Sequence, residues 1–274
     1  LGLVATGGLW TQSVSGPVLS YVVDEAARMR PVYGLPGSAH VGSAMREGVR
    51  ETWGGLALLT DGTAMRGAEV LEGRWAQLQA GAFLDSSGRT VLIAGDRGPA
   101  WRLSLPERAL AVRVSASGGR VLTLLADESL AAWSAGGKAE WRIGAGAWWS
   151  IAFAGERALV YDPAAHTLLW LDEQGGMRVA RGLEGEGGRY QLAVDADGRR
   201  AVLLGERTLL VGLDGGAVRA VETPEGAERL EALPGTGAYL LTRDPARPMW
   251  VLDPAREEAL LVIPALGVAT GGQQ

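Results

Sequence analysis

Residues 190–223 read YQLAVDADGRRAVLLGERTLLVGLDGGAVRAVET, and four apolar runs separated by three turns can be counted in them. Tyr190–Val194 is the first run, and Asp195-Ala196-Asp197-Gly198 is the tight turn behind it. Arg200–Leu204 follows, then the loop Glu206-Arg207, the run Thr208–Leu213, the turn Asp214-Gly215-Gly216 and a last run, Val218–Val221. Asp-Gly and Gly-Gly between apolar runs are hairpin signals, because these turns need a positive φ at a central residue. The stretch therefore predicts four short antiparallel strands in one meander.

The same phrase recurs through the chain. Its middle, where an apolar run ends on an acid, appears at Asp61, Asp96, Asp127, Asp162, Glu206 and Asp244, at steps of 35, 31, 35, 44 and 38 residues. The first turn recurs as Asp85-Ser86-Ser87-Gly88 and Ser115-Ala116-Ser117-Gly118; the second recurs as Asp172-Glu173-Gln174-Gly175-Gly176 and Asp253-Pro254-Ala255-Arg256. A four-stranded unit repeated about every forty residues is the blade of a β-propeller, so the expected fold is all-β. Blades are expected at 40–78, 79–107, 108–146, 147–187, 188–227 and 228–266. The second is short, and Leu105-Pro106-Glu107-Arg108 leaves no room for its outer hairpin.

Residues 17–35 add an extra half unit. Val18–Asp24 and Arg30–Leu35 match the third and fourth runs of the last unit, Trp250–Asp253 and Ala259–Ile263, and Asp24-Glu25-Ala26-Ala27 then reads as a second turn. A ring of sheets must close to hide its edges, and terminal strands serve that purpose. Seven blades is the expectation, with six blades plus an outer cover as the alternative. Residues 17–266 form one domain and 267–274 a flexible tail. Residues 1–16 open with LGLVATGGL and read either as the remnant of a secretory signal or as a first strand. The expectation leans towards export.

Composition narrows the chemistry. The 274 residues are 47% hydrophobic and 21% charged, enough apolar material for a large core. Net charge is −5, and Lys138 is the one lysine against 25 arginines, with no basic cluster to serve as a nucleic-acid footprint. Cysteine is absent, which removes disulfides, thiol nucleophiles and cysteine-based metal sites together. Two histidines, His40 and His166, are too few for the usual metal triads. No apolar run reaches the length of a membrane span. No nucleotide-binding glycine motif and no G-x-S-x-G nucleophile elbow is present. No cofactor is expected, and the chain is expected to act as a monomer.

Alternation of loops between the two faces of a blade puts the six acids on one face, together with the connections between blades. The first reading is that each acid ends its strand by accepting backbone N–H bonds in its own turn. The sharper one is a negative ring at the channel mouth, in which carboxylates raise one another's pKa and hold a divalent cation or a basic ligand. Trp75, Trp148, Trp149 and Tyr190 fall in inter-blade connections on that face and are candidates for an aromatic contact patch. Trp101, Trp133, Trp170 and Trp250 fall in or beside third strands and read as packing between blades.

The pairing of VDADGRR with GERTLLVGLD resembles the bacterial YVTN and WD40-like β-propeller repeats. It is best kept in 194–214 and 158–172, and more faintly in 83–104, 112–134 and 232–253. Residues 130–142, LAAWSAGGKAEWR, are similar to the quinoprotein-type repeat, in which a Trp docks onto the neighbouring blade. The resemblance implies a rigid disc that binds a protein or a small molecule, often exported, with catalysis in some branches. The function expected is thus a non-catalytic binding scaffold; the alternative is a cation-dependent hydrolase or lactonase using the ring acids.

Overall fold

The computed structural model describes residues 16–35, 37–94, 99–146, 149–183, 188–233, 235–242 and 249–263. Seven antiparallel sheets follow one another along the chain, at 18–41, 49–71, 77–104, 109–144, 150–182, 191–222 and 229–263, and are called blades 1 to 7. Within each blade the strands lie side by side in chain order. Blades 2 to 7 have four strands each, and blade 1 has three among the described residues. No helix appears among the described residues, and none is long and apolar enough to cross a membrane.

What joins the blades into a ring is the pattern of burial. The described core divides into seven apolar clusters, each shared by two successive blades, with the last shared by blades 7 and 1. Leu203 of blade 6 packs with Tyr161 and Trp170 of blade 5, whereas its neighbours Val202 and Leu204 pack with Tyr239 and Leu241 of blade 7. A sheet covered on both faces reads as a continuous apolar run rather than as an alternation. That is why runs such as VLTLL (121–125) and AVLL (201–204) mark the second strands so plainly. Blades 1 and 2 share the smallest cluster, Met29, Val49, Ala57 and Met65.

The turn in the opening stretch is a repeated device. Asp195 Oδ1 accepts from the backbone N–H of Arg199 and of Arg200, at 2.8 and 3.1 Å, while Gly198 takes φ +68° and donates to the Asp195 carbonyl. Asp85 with Gly88 and Ser115 with Gly118 build the same loop, the glycines at φ +69° and +73°. The Asp195 and Ser115 loops join the first strand of a blade to the second, whereas the Asp85 loop joins the second strand of its blade to the third.

Three expectations change. Val18–Val23 is the innermost described strand of its own blade: Ser20 Oγ donates to Glu231 Oε1 of the first strand of blade 7, and Val49 N–H donates to the Ala27 carbonyl on the other side. The Asp24 turn sits beside the start of the next blade's first strand, as the second-to-third-strand turns at Gly62 and Gly88 do. Its likeness to Trp250–Asp253 is one of composition, and ring position is a property of packing. Blade 3 is not short either. Gln77–Gln79, which the expected boundary at 78/79 cuts in two, is its first strand, and Trp101–Ser104 is its fourth. Trp101 therefore sits on an outer strand, while Trp133 and Trp170 occupy third strands and pack into neighbouring blades. Trp141, in the segment resembling the quinoprotein repeat, lies against Gly175 of blade 5, where a Cβ would stand 3.0 Å from its ring.

Candidate functional site

First strands line the central channel, and each has an edge that the flat pairing of a sheet cannot satisfy. Unpaired N–H groups there need acceptors. Side chains supply them blade by blade. Glu51 Oε2 accepts from Leu78 N–H at 2.7 Å, Gln79 Oε1 from Val112 N–H at 3.1 Å, and Gln191 Oε1 from Leu230 N–H at 3.3 Å. Glu231 accepts from Ser20 across the seam between blades 7 and 1 at 3.1 Å, and Ser150 Oγ donates to the Tyr190 carbonyl between blades 5 and 6. The polar residues that interrupt otherwise apolar first strands thus stitch the ring together. Sequence patterning missed them as a set; the available signal was a lone Arg, Gln or Glu inside a first run, as in YQLAV, ALAVRV and RLEA.

Two arginines stand out in this lining. Arg229 lies 5.0 Å over the Trp53 ring, donates from Nη2 to the Thr52 carbonyl at 2.6 Å, and approaches Glu231 Oε2 at 3.4 Å. Glu231 is buried, and burial pushes its carboxyl above the usual range; Arg229, Ser20 and the Gly54 backbone pull the other way. Arg113 of blade 4 is different. Its Nη1 donates to the Val112 carbonyl at 2.8 Å, and among the described residues it forms no ion pair. Protein encloses it closely enough that desolvation lowers its pKa to about 10, yet its side chain keeps partial contact with the lumen. It stays charged at neutral pH.

Arg113, Arg229, Gln191 and Trp53 share the wall of a cavity of about 180 Å³ with Ala152 and Ala193. Val114, Phe153, Val194 and Ala232 then line both that cavity and a wider one of about 650 Å³, rimmed by Asp195, Asp197, Arg199 and Arg200. The rim is made by turns joining first to second strands, so this mouth opens on the face opposite the expected acid ring. The cavities along the channel are lined by Arg50, Arg113 and Arg229 and by Asp24, Glu25, Glu51 and Glu231.

The acids have another use. Asp61, Asp127, Asp162 and Glu206 all occupy turns joining second to third strands, hence one face, but one strand or more outward from the channel. Asp61 Oδ1 accepts from Thr63 N–H at 2.9 Å, and Asp162 Oδ1 from Ala164 N–H at 2.9 Å and Ala165 N–H at 3.3 Å. Asp127 Oδ1 takes the Ser129 hydroxyl at 2.6 Å, and Oδ2 pairs with Arg142. The Thr63 backbone bond holds Asp61 below the ordinary carboxylate range, and the Ser129 hydroxyl and Arg142 do the same for Asp127. This is the opposite of mutual repulsion. Glu206 is exposed, and Asp96 and Asp244 lie outside the described residues. Among the described residues no three His, Asp or Glu side chains are grouped to hold a metal ion.

The aromatic candidates separate in the same way. Trp75 is buried, 6.5 Å from the Phe83 ring and beneath the Arg102 guanidinium at 6.0 Å. Tyr190 is buried edge-on against Tyr161, with ring centroids 5.5 Å apart. Trp149 is half-buried in the cluster between blades 4 and 5, and Trp148 lies outside the described residues. His40 is exposed in the third strand of blade 1, and His166 takes φ +50° in the turn that begins at Asp162.

Fold and lining together define a seven-bladed β-propeller with a polar channel that carries arginine. No family model matches the sequence, and no curated protein matches it significantly. Solved structures do match by shape. Selenomethionine-substituted virginiamycin B lyase from Staphylococcus aureus superposes with a TM-score of 0.54 at 10% identity, covering 91% of this chain and 84% of that one. A streptogramin B lyase gives 0.51 at 10%, covering 92% and 84%. A catalytically inactive virginiamycin B lyase from Staphylococcus aureus with quinupristin gives 0.51 at 12%, covering 93% and 86%. At these identities the likeness is one of fold.

Proposed function

We propose that the chain is a non-catalytic β-propeller binding module, and that its ligand enters the central channel from the face bearing the first-to-second-strand turns. The observation that carries this reading is the continuity of the 650 Å³ mouth with the inner cavity holding Arg113 and Arg229. Together they have the size and the mixed apolar and polar lining of a small-molecule site. Rigid blades hold the rim turns, so the mouth is largely pre-formed, which limits the ordering cost of binding. The alternative, a cation-dependent hydrolase working at the acid face, has less support. Asp61, Asp127 and Asp162 are each engaged by their own turns, and none points with another at a shared centre.

A thermal-shift screen of anionic, neutral and cationic small molecules tests the proposal, run on the wild type and on Ala232→Trp. Ala232 lies at the throat between the two cavities, and an indole there obstructs passage. Ligands that raise the wild-type Tm are expected to have no effect on the folded variant. Equal stabilisation of both proteins, or turnover of ester or lactone substrates that requires a divalent cation, would overturn the reading.

A further inference from the structure

We propose that the channel contains an oxyanion site centred on the Arg113 guanidinium, suited to a carboxylate or phosphate group on a small ligand. This deepens the channel-binding reading and rests on it. The argument begins with what the other polar residues of the wall do. Glu51, Gln79, Gln191 and Glu231 each accept a hydrogen bond from the next blade, and Ser150 donates one. Arg229 stacks on Trp53 and is bonded to Thr52 and Glu231. Each of these has a structural partner.

Arg113 breaks the pattern. A guanidinium carries five N–H donors in a fixed fork, and the Val112 carbonyl engages one nitrogen. A cation held among protein walls is ordinarily paired, since an unpaired one is costly. Arg113 lines the cavity of about 180 Å³ and also an adjoining one of about 400 Å³, so its remaining donors have lumen space on both sides. The inner cavity accommodates a single carboxylate or phosphate head, and the mouth beyond it leaves room for the rest of a ligand.

The surrounding groups favour the same occupant. Arg229 lines both of these cavities and brings a second positive charge to the wall. Glu51, the carboxylate that lines the second of these cavities, is already engaged by Arg50 at 3.3 Å and by Leu78 N–H, and Glu231 is held by Arg229 and Ser20. Ala80, Ala152 and Ala193 supply short apolar walls around the fork. In such surroundings a charge-assisted, bidentate pair is worth more than the same pair on the surface. Arginine rather than lysine suits this task, because its planar fork matches the two oxygens of a carboxylate or phosphate.

Isothermal titration with inorganic phosphate and, separately, with succinate tests the site, with sodium chloride at matched ionic strength as the blank. Wild type is expected to bind at least one of the two saturably, the preferred probe telling which head group the site takes. Arg113→Gln is expected to weaken that binding by about tenfold or more, as loss of a charge-assisted pair implies. Arg113→Lys keeps the charge without the fork and should fall between the two. Arg178→Gln, on the outer strand of blade 5, should bind as the wild type does. No saturable binding of either probe by wild type, or binding that survives Arg113→Gln, overturns the inference. A neutral ligand that is blocked by Ala232→Trp yet indifferent to Arg113→Gln would keep the channel reading and remove the oxyanion site.

Discussion

Replacing Arg113 by methionine should make the ligand-free protein more stable. The folded chain holds this guanidinium with a pKa lowered by desolvation from its ordinary value to about 10. At 1.36 kcal/mol per pH unit, the cost of keeping it charged has a ceiling of about 3 kcal/mol. Contact with lumen water reduces this, and about 1 kcal/mol is the reasonable expectation. Methionine keeps much of the aliphatic stem and removes the charge, so little packing is lost in exchange. For a chain of this size the midpoint should rise by roughly 2–4 °C. The sign of the pH dependence follows from linkage. Below about pH 9 both folded and unfolded chains are protonated at this position, so the gain is flat from pH 5 to 9. It shrinks only as pH climbs above about 10, where the unfolded chain binds more protons than the folded one and the wild type recovers stability. Scanning calorimetry of both proteins in low-salt buffer free of phosphate and carboxylate is the measurement. A midpoint for Arg113→Met more than about 2 °C below wild type would show that the arginine is a structural member of the wall, and the reasoning would fail.

Glu231→Gln should flatten a pH slope. Burial raises the folded-state pKa of Glu231, so wild type loses stability as pH rises from the ordinary glutamate value through the raised one; melts between pH 4 and 8 should show that loss and its absence in the variant, and parallel curves would refute it. Tyr190→Ala removes a buried ring packed on Tyr161 and should lower Tm by on the order of 10 °C, whereas a drop under about 2 °C would mark Tyr190 as a surface contact residue. Asp162→Ala removes an acceptor shared by two backbone N–H groups and should cost about 1 kcal/mol in a denaturant titration. Millimolar calcium, magnesium, manganese or zinc should leave the wild-type midpoint within about 1 °C; a cation-specific rise that Asp162→Ala abolishes would restore the metal reading.

Much of the fold was legible because its signals are local. The Asp195–Gly198 turn needs one side-chain oxygen and one positive φ, both set within five residues, and it recurs at Asp85 and Ser115 with the same bonds. Ring position was not legible. Val18–Asp24 looks like a third strand by composition, and only its bond to Glu231, 211 residues away, shows it to be the innermost described strand of its own blade. The candidate site depends on the ring in the same way. Repetition drew attention to the acids, but an acid at a strand end is equally well used by its own turn, as Asp61 and Asp162 are. Arg113 repeats nowhere, so periodicity had no means of finding it.

The order of apolar runs and turn residues was enough to require short antiparallel sheets buried on both faces, because each choice involves neighbours along the chain. Closure of seven such sheets, and the wall that closure creates, depend on residues brought together from opposite ends of the sequence. Whether a polar side chain in a first strand stitches two blades, as Gln191 does, or stands without a counter-charge in the lumen, as Arg113 does, is a matter of which backbone group or carboxylate lies across the gap. Only the closed ring sets that distance.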